Sequence, residues 1–134
     1  MRLQPIYDIA EICAQHGITN AVVCPGSRCA PLTLAFTRHA NITCRTFSDE
    51  RSAGFIALGI AQQMKTPVCI VCTSGSAAYN FAPAIAEAFY QEIPILVFTA
   101  DRPAEWIDQW DGQTIRQNNI FGAHVKKSYT LPQE

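Results

Sequence analysis

Four short runs of apolar and β-branched residues recur along the chain, and segments with a helical pattern separate them. The runs span Asn20–Cys24, Ile42–Phe47, Pro67–Cys72 and Pro94–Thr99. The third and fourth contain nearly unbroken apolar stretches, VCIV and ILVF, which are typical of strands that are buried on both faces. The pattern therefore predicts a parallel sheet covered by helices.

Three residues mark helix ends in the intervening segments. Gly17 is typical of the position just past a helix, Pro31 suits a first helical turn, and Pro83 requires a kink or a later helix start. The predicted helices end before Gly17, run from Pro31 to about His39, run from a cap at Ser48 or Asp49 to about Met64, and run from about Ala77 to about Gln91. The alternation predicts an α/β fold, a three-layer parallel sheet with helices on both faces and right-handed crossovers.

Length and composition agree with a single domain spanning residues 1–134. The chain is 49% hydrophobic and only 16% charged, which excludes an ordinary disordered chain. The formal net charge of −1 indicates no basic patch, so nucleic acid is not an expected partner. No apolar run approaches a membrane span, and Asp8 and Glu11 interrupt the region where a signal peptide would be apolar. We therefore expect a cytoplasmic location and no membrane partner.

The cysteines and histidines lack the spacing of a metal site. Cys69 and Cys72 form one CxxC, but it lies inside a predicted strand, where positions three apart point to opposite faces. Buried, reduced thiols are the expected state, with a metal or redox role as the less favoured alternative. We expect no metal ligands among the three histidines, His16, His39 and His124.

Polar or glycine-rich residues follow each predicted strand. Because ligands bind at the carboxyl ends of the strands in an open parallel sheet, these four turns indicate a site. They are Pro25-Gly26-Ser27-Arg28, Ser48-Asp49-Glu50-Arg51, Thr73-Ser74-Gly75-Ser76 and Ala100-Asp101-Arg102-Pro103.

Each turn has a plain structural interpretation beside the functional one. The PGSR turn precedes a helix N-terminus, where Arg28 could clamp a carboxylate or phosphate or could simply be solvated. Glu50 could stabilise a first helical turn or share a proton with a ligand nitrogen. Ser74 or Ser76 could cap the fourth helix and leave Gly75 for close backbone approach. The chain has no GxGxxG, Walker or GxSxG motif, which disfavours a nucleotide site and a serine hydrolase.

The segment Asp101–Gly122 is long, polar and aromatic. A loop of this length in a compact domain is usually functional or disordered. Its residues Arg102, Gln113 and Arg116 could surround a polyanionic substrate together with the PGSR arginine. Trp106 and Trp110 are expected to pack the loop or fill an interface rather than contact a substrate.

Taken together, the motifs resemble the pyrimidine-binding domain of thiamine diphosphate-dependent enzymes, and within that family its menaquinone-pathway synthases. The resemblance covers most of the chain from Cys24 to Gly122, and TADRP followed by GQxIRQ is its most specific part. The matching stretches are CPGSRCAPLTLA, SDERSAGFIALGIA, CTSGSAAYNFAPAIAEA, ILVFTADRPAEWID and DGQTIRQNNIFG.

The resemblance implies thiamine diphosphate and a divalent metal, Mg or Mn, as cofactors, with 2-oxoglutarate and isochorismate as substrates. Glu50 matches the family's catalytic glutamate, which hydrogen-bonds N1′ of the aminopyrimidine. The cofactor-binding residues that it implies are Pro25, Gly26, Glu50, Gly75 and Asn80, and the substrate-binding residues are Ser27, Arg28, Arg102 and Gln113.

The same resemblance implies that part of the site lies elsewhere. The family's metal–diphosphate motif, GDG followed by Asn, is absent from the sequence, so the metal ligands are expected outside this chain. Family members are several times longer and pair the pyrimidine domain of one subunit with the diphosphate domain of another. We therefore expect a fragment of a longer enzyme that is inactive alone and a homodimer or larger assembly as the full protein. Gly112 departs from the family pattern, in which Asn is common, and that contact is not expected.

Two alternatives stay open at this stage. One is a non-catalytic binding or assembly module that has kept the fold; the intact Glu50 disfavours it. The other is a different thiamine diphosphate-dependent decarboxylase or synthase, which the ADRP and GQxIRQ stretches disfavour. A nucleotide-binding Rossmann domain is a distant third, because its glycine fingerprint is missing.

Overall fold

A computed structural model describes residues 3–132 of the chain. All four predicted strands are present, each one or two residues shorter than its apolar run: β1 Asn20–Val23, β2 Thr43–Thr46, β3 Val68–Cys72 and β4 Ile95–Thr99. The helices are α1 Gln4–Gln15, α2 Ala30–Thr37, α3 Glu50–Met64, α4 Ser76–Asn80 and α5 Ala82–Tyr90, with short 3-10 helices at Ala104–Trp106 and Gly122–His124. No helix within this described part of the chain is long and apolar enough to cross a membrane.

The strands form one parallel sheet in the order β2-β1-β3-β4. Successive residues of β1 and β3 enter opposite cores: Val23 and Val71 pack with α1 and α2, whereas Val22 and Ile70 pack with α3 and α5. Both central strands are buried along their whole length. The three-layer arrangement predicted from the apolar runs is therefore confirmed.

The strand order creates a crevice at one edge of the sheet. The chain leaves β1 toward β2 on one side and later returns to β3 on the other, so the connections diverge above the carboxyl ends of these two neighbours. Ligands of open α/β sheets bind at such a switch point. The turns that begin at Pro25 and Thr73 border this crevice.

The fourth predicted helix is two helices. The helix is interrupted at Phe81, whose side chain is fully buried. Pro83 lies in the first turn of α5, where its missing N–H is tolerated. The later start that Pro83 allowed is thus confirmed. The prediction that Ser74 or Ser76 caps this segment is wrong: Gly75 is the N-cap residue of α4, and no side chain caps that helix.

Asp49 caps α3, as the sequence allowed. Its carboxylate accepts a hydrogen bond of 2.7 Å from the backbone N–H of Ser52. This bond holds the pKa of Asp49 below its usual value, because it stabilises the charged form. The cap leaves the neighbouring Glu50 carboxylate free for another role.

The six cysteines are free, and all but Cys44 are buried in the two cores. Burial, with a smaller contribution from the nearby Glu50 carboxylate, raises the pKa of Cys24 to about 12. The same two causes, in the same order, raise the pKa of Cys72. Within residues 3–132, no three His, Cys, Asp or Glu side chains are placed to hold a metal ion. The thiols therefore act as small apolar core groups.

We expect the free energy of unfolding of the reduced chain to fall as the pH rises above about 8.5, the value of an unperturbed thiol. The pKa of Cys24 is higher in the folded than in the unfolded state. Its contribution is therefore fully present below about pH 8.5. It is then lost as the pH rises toward the pKa of Cys24 in the folded state, because the unfolded chain releases the thiol proton first. Urea denaturation at several pH values measures this, with a slope of up to about 1 kcal/mol per pH unit from one thiol.

Cys24→Ala should flatten that slope, whereas Cys44→Ala should flatten it less, because Cys44 is only half-buried. If the free energy of unfolding fell equally steeply with pH in Cys24→Ala and in the parent chain between about pH 8.5 and 10.5, the burial argument would be contradicted.

Candidate active site

Glu50 is a half-buried carboxylate at the first residue of α3. No hydrogen bond or ion pair engages its side chain within the described residues. Its charge acts on the thiols of Cys24 and Cys72, which stand at the carboxyl ends of β1 and β3. Glu50 therefore lies beside the switch-point crevice with its carboxylate available to a ligand.

The turn after β1 packs directly against the end of β3. A Cβ atom built on Gly26 would lie 2.5 Å from the Cβ atom of Thr73, so no larger residue fits without a shift of the turn. The Cys29 thiol donates to the carbonyl oxygens of Cys24 and Gly26, at 3.5 and 3.4 Å, and these bonds stabilise the turn. The two turns that the sequence singled out are thus in contact.

Gly75 brings the long loop against the same edge. Its φ of 85° belongs to the left-handed side that favours glycine, and a Cβ atom there would lie 2.9 Å from the carbonyl oxygen of Gln113. The close approach that the sequence predicted for Gly75 is therefore present, but its neighbour is the protein's own loop.

Gln117, which the sequence analysis did not single out, joins three segments. Its Oε1 atom accepts a bond of 2.7 Å from the N–H of Gly75, and its Nε2 atom donates to the carbonyl oxygen of Ala100 at 2.9 Å. The side chain is buried. Its place in the GQTIRQ stretch was its only sequence signal, since pattern alone cannot tell a buried glutamine from an exposed one.

Ser74 accepts hydrogen bonds from two of the expected substrate-binding residues. The Nε atom of Arg102 donates to its Oγ atom at 3.2 Å, and the amide of Gln113 donates to its carbonyl oxygen at 3.5 Å. Arg102 also lies 3.8 Å from the carboxylate of Asp111. The structure thus places Arg102 and Gln113 together, while Arg116 pairs at the surface with Asp108.

The remaining expected residues are more dispersed. Pro25 and Ser27 are exposed in the turn after β1. Arg28 in that turn stacks on the ring of Trp106, with 5.1 Å between its Cζ atom and the ring centroid. Asn80 is exposed at the end of α4, where its amide donates to the Ser76 carbonyl oxygen of its own helix. Trp110 is fully exposed, so the expectation that it packs its own loop is wrong, and the expectation of an interface rather than a substrate contact stays a prediction.

We expect Gln117→Met to destabilise the chain by about 2 kcal/mol or more, because it leaves the buried N–H of Gly75 and the carbonyl of Ala100 without their partner. Gln117→Glu keeps the acceptor for the Gly75 N–H, so its free energy of unfolding should fall between those of the parent chain and of Gln117→Met. Urea denaturation measures both, with Gln109→Met in the exposed part of the same loop as the control. A Gln117→Met variant as stable as the control would show that these bonds do not anchor the loop.

Known proteins resemble the chain along nearly its whole length. Residues 7–120 match the family described as "Thiamine pyrophosphate enzyme, N-terminal TPP binding domain". The 2-succinyl-5-enolpyruvyl-6-hydroxy-3-cyclohexene-1-carboxylate synthase of Cytophaga hutchinsonii is 58% identical over 98% of this chain and 24% of its own length. The synthases of the same name from Desulfotalea psychrophila and Bacteroides fragilis are 50% and 49% identical, over 98% and 96% of this chain.

The chain spans about a quarter of the length of these relatives, 24%, 24% and 23% respectively. The family match covers residues 7–120, which include every strand and helix that borders the crevice. The chain therefore belongs to the family of thiamine pyrophosphate (thiamine diphosphate) enzymes, as their N-terminal TPP-binding domain.

Proposed function

We propose that this chain supplies the pyrimidine-binding half of the active site of a menaquinone-pathway synthase. The complete enzyme would decarboxylate 2-oxoglutarate and add the resulting succinyl semialdehyde unit to isochorismate. The observation that carries the proposal is Glu50, a half-buried carboxylate beside the ends of β1 and β3 that no described residue engages. The identity of 58% to a synthase of that name supports the choice of reaction.

In this proposal the crevice takes the pyrimidine end of thiamine diphosphate. Its support is that the turn of Gly26 packs on Thr73 and the turn of Gly75 packs on Gln113, which brings the ends of β1 and β3 and the long loop together at one edge. In this proposal Pro25, Gly26, Gly75 and Asn80 bind the cofactor beside Glu50. When bound, the cofactor supplies a nucleophilic carbon and an electron sink for decarboxylation.

Glu50 is the catalytic residue of this chain. A carboxyl group there would hold a proton at the N1′ atom of the bound aminopyrimidine, which would favour the cofactor form whose exocyclic nitrogen can accept a proton. The buried thiols of Cys24 and Cys72 are near enough for the Glu50 charge to raise their pKa values, so the carboxylate lies close to the apolar ends of β1 and β3.

The substrate side of the site is cationic. Ser27, Arg28, Arg102 and Gln113 bind the carboxylates of 2-oxoglutarate and isochorismate in this proposal. Arginine suits the role because its planar fork matches a carboxylate with two parallel hydrogen bonds. The convergence of Arg102 and Gln113 on Ser74 supports a shared pocket.

The rest of the site is assigned to a partner. The proposal includes a Mg or Mn ion whose ligands come from the diphosphate-binding domain of a second subunit, and hence a homodimer or larger assembly. The relatives' greater length leaves room for such a domain. Free thiols are typical of a reducing compartment, which supports a cytoplasmic location.

In the complete protein, Glu50→Gln should lower turnover by at least about 100-fold, because an amide cannot move the proton that a carboxylate moves. The expected fold and cofactor affinity are close to those of the parent. The assay follows 2-oxoglutarate decarboxylation with isochorismate, and calorimetry follows thiamine diphosphate binding. Glu92→Gln, on the exposed connection before β4, is the control and should leave both unchanged. Unchanged turnover in Glu50→Gln would remove Glu50 from the mechanism.

The purified chain of 134 residues should show no synthase turnover by itself, since the proposal places the diphosphate and metal contacts elsewhere. Adding a separately produced diphosphate-binding region of a relative should restore measurable activity. Turnover by the chain alone would overturn the half-site assignment.

A screen of other 2-oxo acids on the complete protein separates this synthase from another thiamine diphosphate enzyme. If the complete protein turns over none of them, a non-catalytic module is favoured.

A further inference from the structure

Arg28, in the turn after β1, contacts a different kind of group from the two arginines of the long loop. Arg102 donates to Ser74 and lies near Asp111, and Arg116 is paired with Asp108 at 2.8 Å. Arg28 has no hydrogen bond or ion pair with any residue from 3 to 132. Its contact there is the face of the Trp106 ring, 5.1 Å from ring centroid to Cζ.

This kind of contact orients a guanidinium without using its hydrogen bonds. The indole face attracts the cation through its quadrupole, and this attraction uses none of the N–H donors of the guanidinium. The donors of Arg28 therefore stay open to an anion. An arginine held over a ring also loses less freedom when it binds, because its head group is already placed.

Trp106 is itself fixed to the site. It ends the 3-10 helix Ala104–Trp106, and its backbone N–H donates to the Pro103 carbonyl oxygen at 2.9 Å. Pro103 directly follows Arg102, whose side chain is tied to Ser74. The backbone that carries the ring is therefore linked to Ser74 through Pro103 and Arg102, and Trp106 is 37% exposed, whereas Trp110, four residues on, is fully exposed.

We propose that Trp106 is a positioning residue that holds the Arg28 fork toward a substrate carboxylate. The proposal rests on the proposed function for the identity of the substrates, and it adds the residue that sets the geometry of their recognition. The chemical class that this subsite takes is a carboxylate, because the planar fork pairs with one in two parallel bonds.

Steady-state kinetics of the complete protein test the positioning role. Trp106→Leu removes the aromatic face and should raise the KM for one carboxylate substrate about threefold to tenfold, with kcat within twofold of the parent. Trp106→Phe keeps an aromatic face and should restore most of that affinity. Trp110→Leu is the matched control and should change neither constant.

A ligand-binding readout separates positioning from a general structural effect. In protein labelled with 5-fluorotryptophan, the Trp106 resonance is the one missing from Trp106→Phe. Succinate, an unreactive dicarboxylate, should shift this ¹⁹F resonance in a saturable way and leave that of Trp110 in place. The shift should be absent from Arg28→Gln.

Two results would overturn the inference: unchanged KM values in Trp106→Leu together with a resonance that succinate does not move, or a shift produced by inorganic phosphate but not by succinate. A saturable succinate shift in a protein that lacks synthase turnover would support the carboxylate subsite while removing the proposed function. The two ideas thus fail separately.

Discussion

The parallel pairing of β1 with β3 is the constraint on which the rest of the structure depends. The two strands are buried on both faces, with Val22 and Ile70 in one core and Val23 and Val71 in the other. Because they are parallel, their carboxyl ends meet at one edge, and the diverging connections leave a crevice there. Every residue of the candidate site is placed by reference to these two strand ends.

The loops at this edge are held by a few polar contacts, together with apolar side chains such as Ile120 and Phe121 that pack on the core. Gln117 satisfies the N–H of Gly75 and the carbonyl of Ala100 with one buried amide. Unpaired, those groups would each cost about 1–3 kcal/mol. The long loop after β4 is thus ordered against the sheet, although its only regular element among the residues from Asp101 to Phe121 is the short 3-10 helix Ala104–Trp106.

Two charged groups at the edge have no protein counterpart among the described residues. The Glu50 carboxylate is half-buried near the thiols of Cys24 and Cys72, and the exposed Arg28 guanidinium lies over an aromatic face. Their opposite signs suit the two tasks proposed for this crevice, which are to hold a proton on a cofactor nitrogen and to bind acidic substrates.

The sequence by itself determined the strands, the layer order and the edge that carries the site, because apolar runs and helix caps such as Asp49 are local signals. Family motifs also pointed to Glu50 before any geometry was known. Only the tertiary structure decided that Gly75 rather than a serine is the N-cap residue of α4, that Gln117 is buried, and that Arg28 lies over the Trp106 ring. Those features join residues that are far apart along the chain, and a contact between distant residues depends on how the whole sheet folds rather than on the pattern around either one.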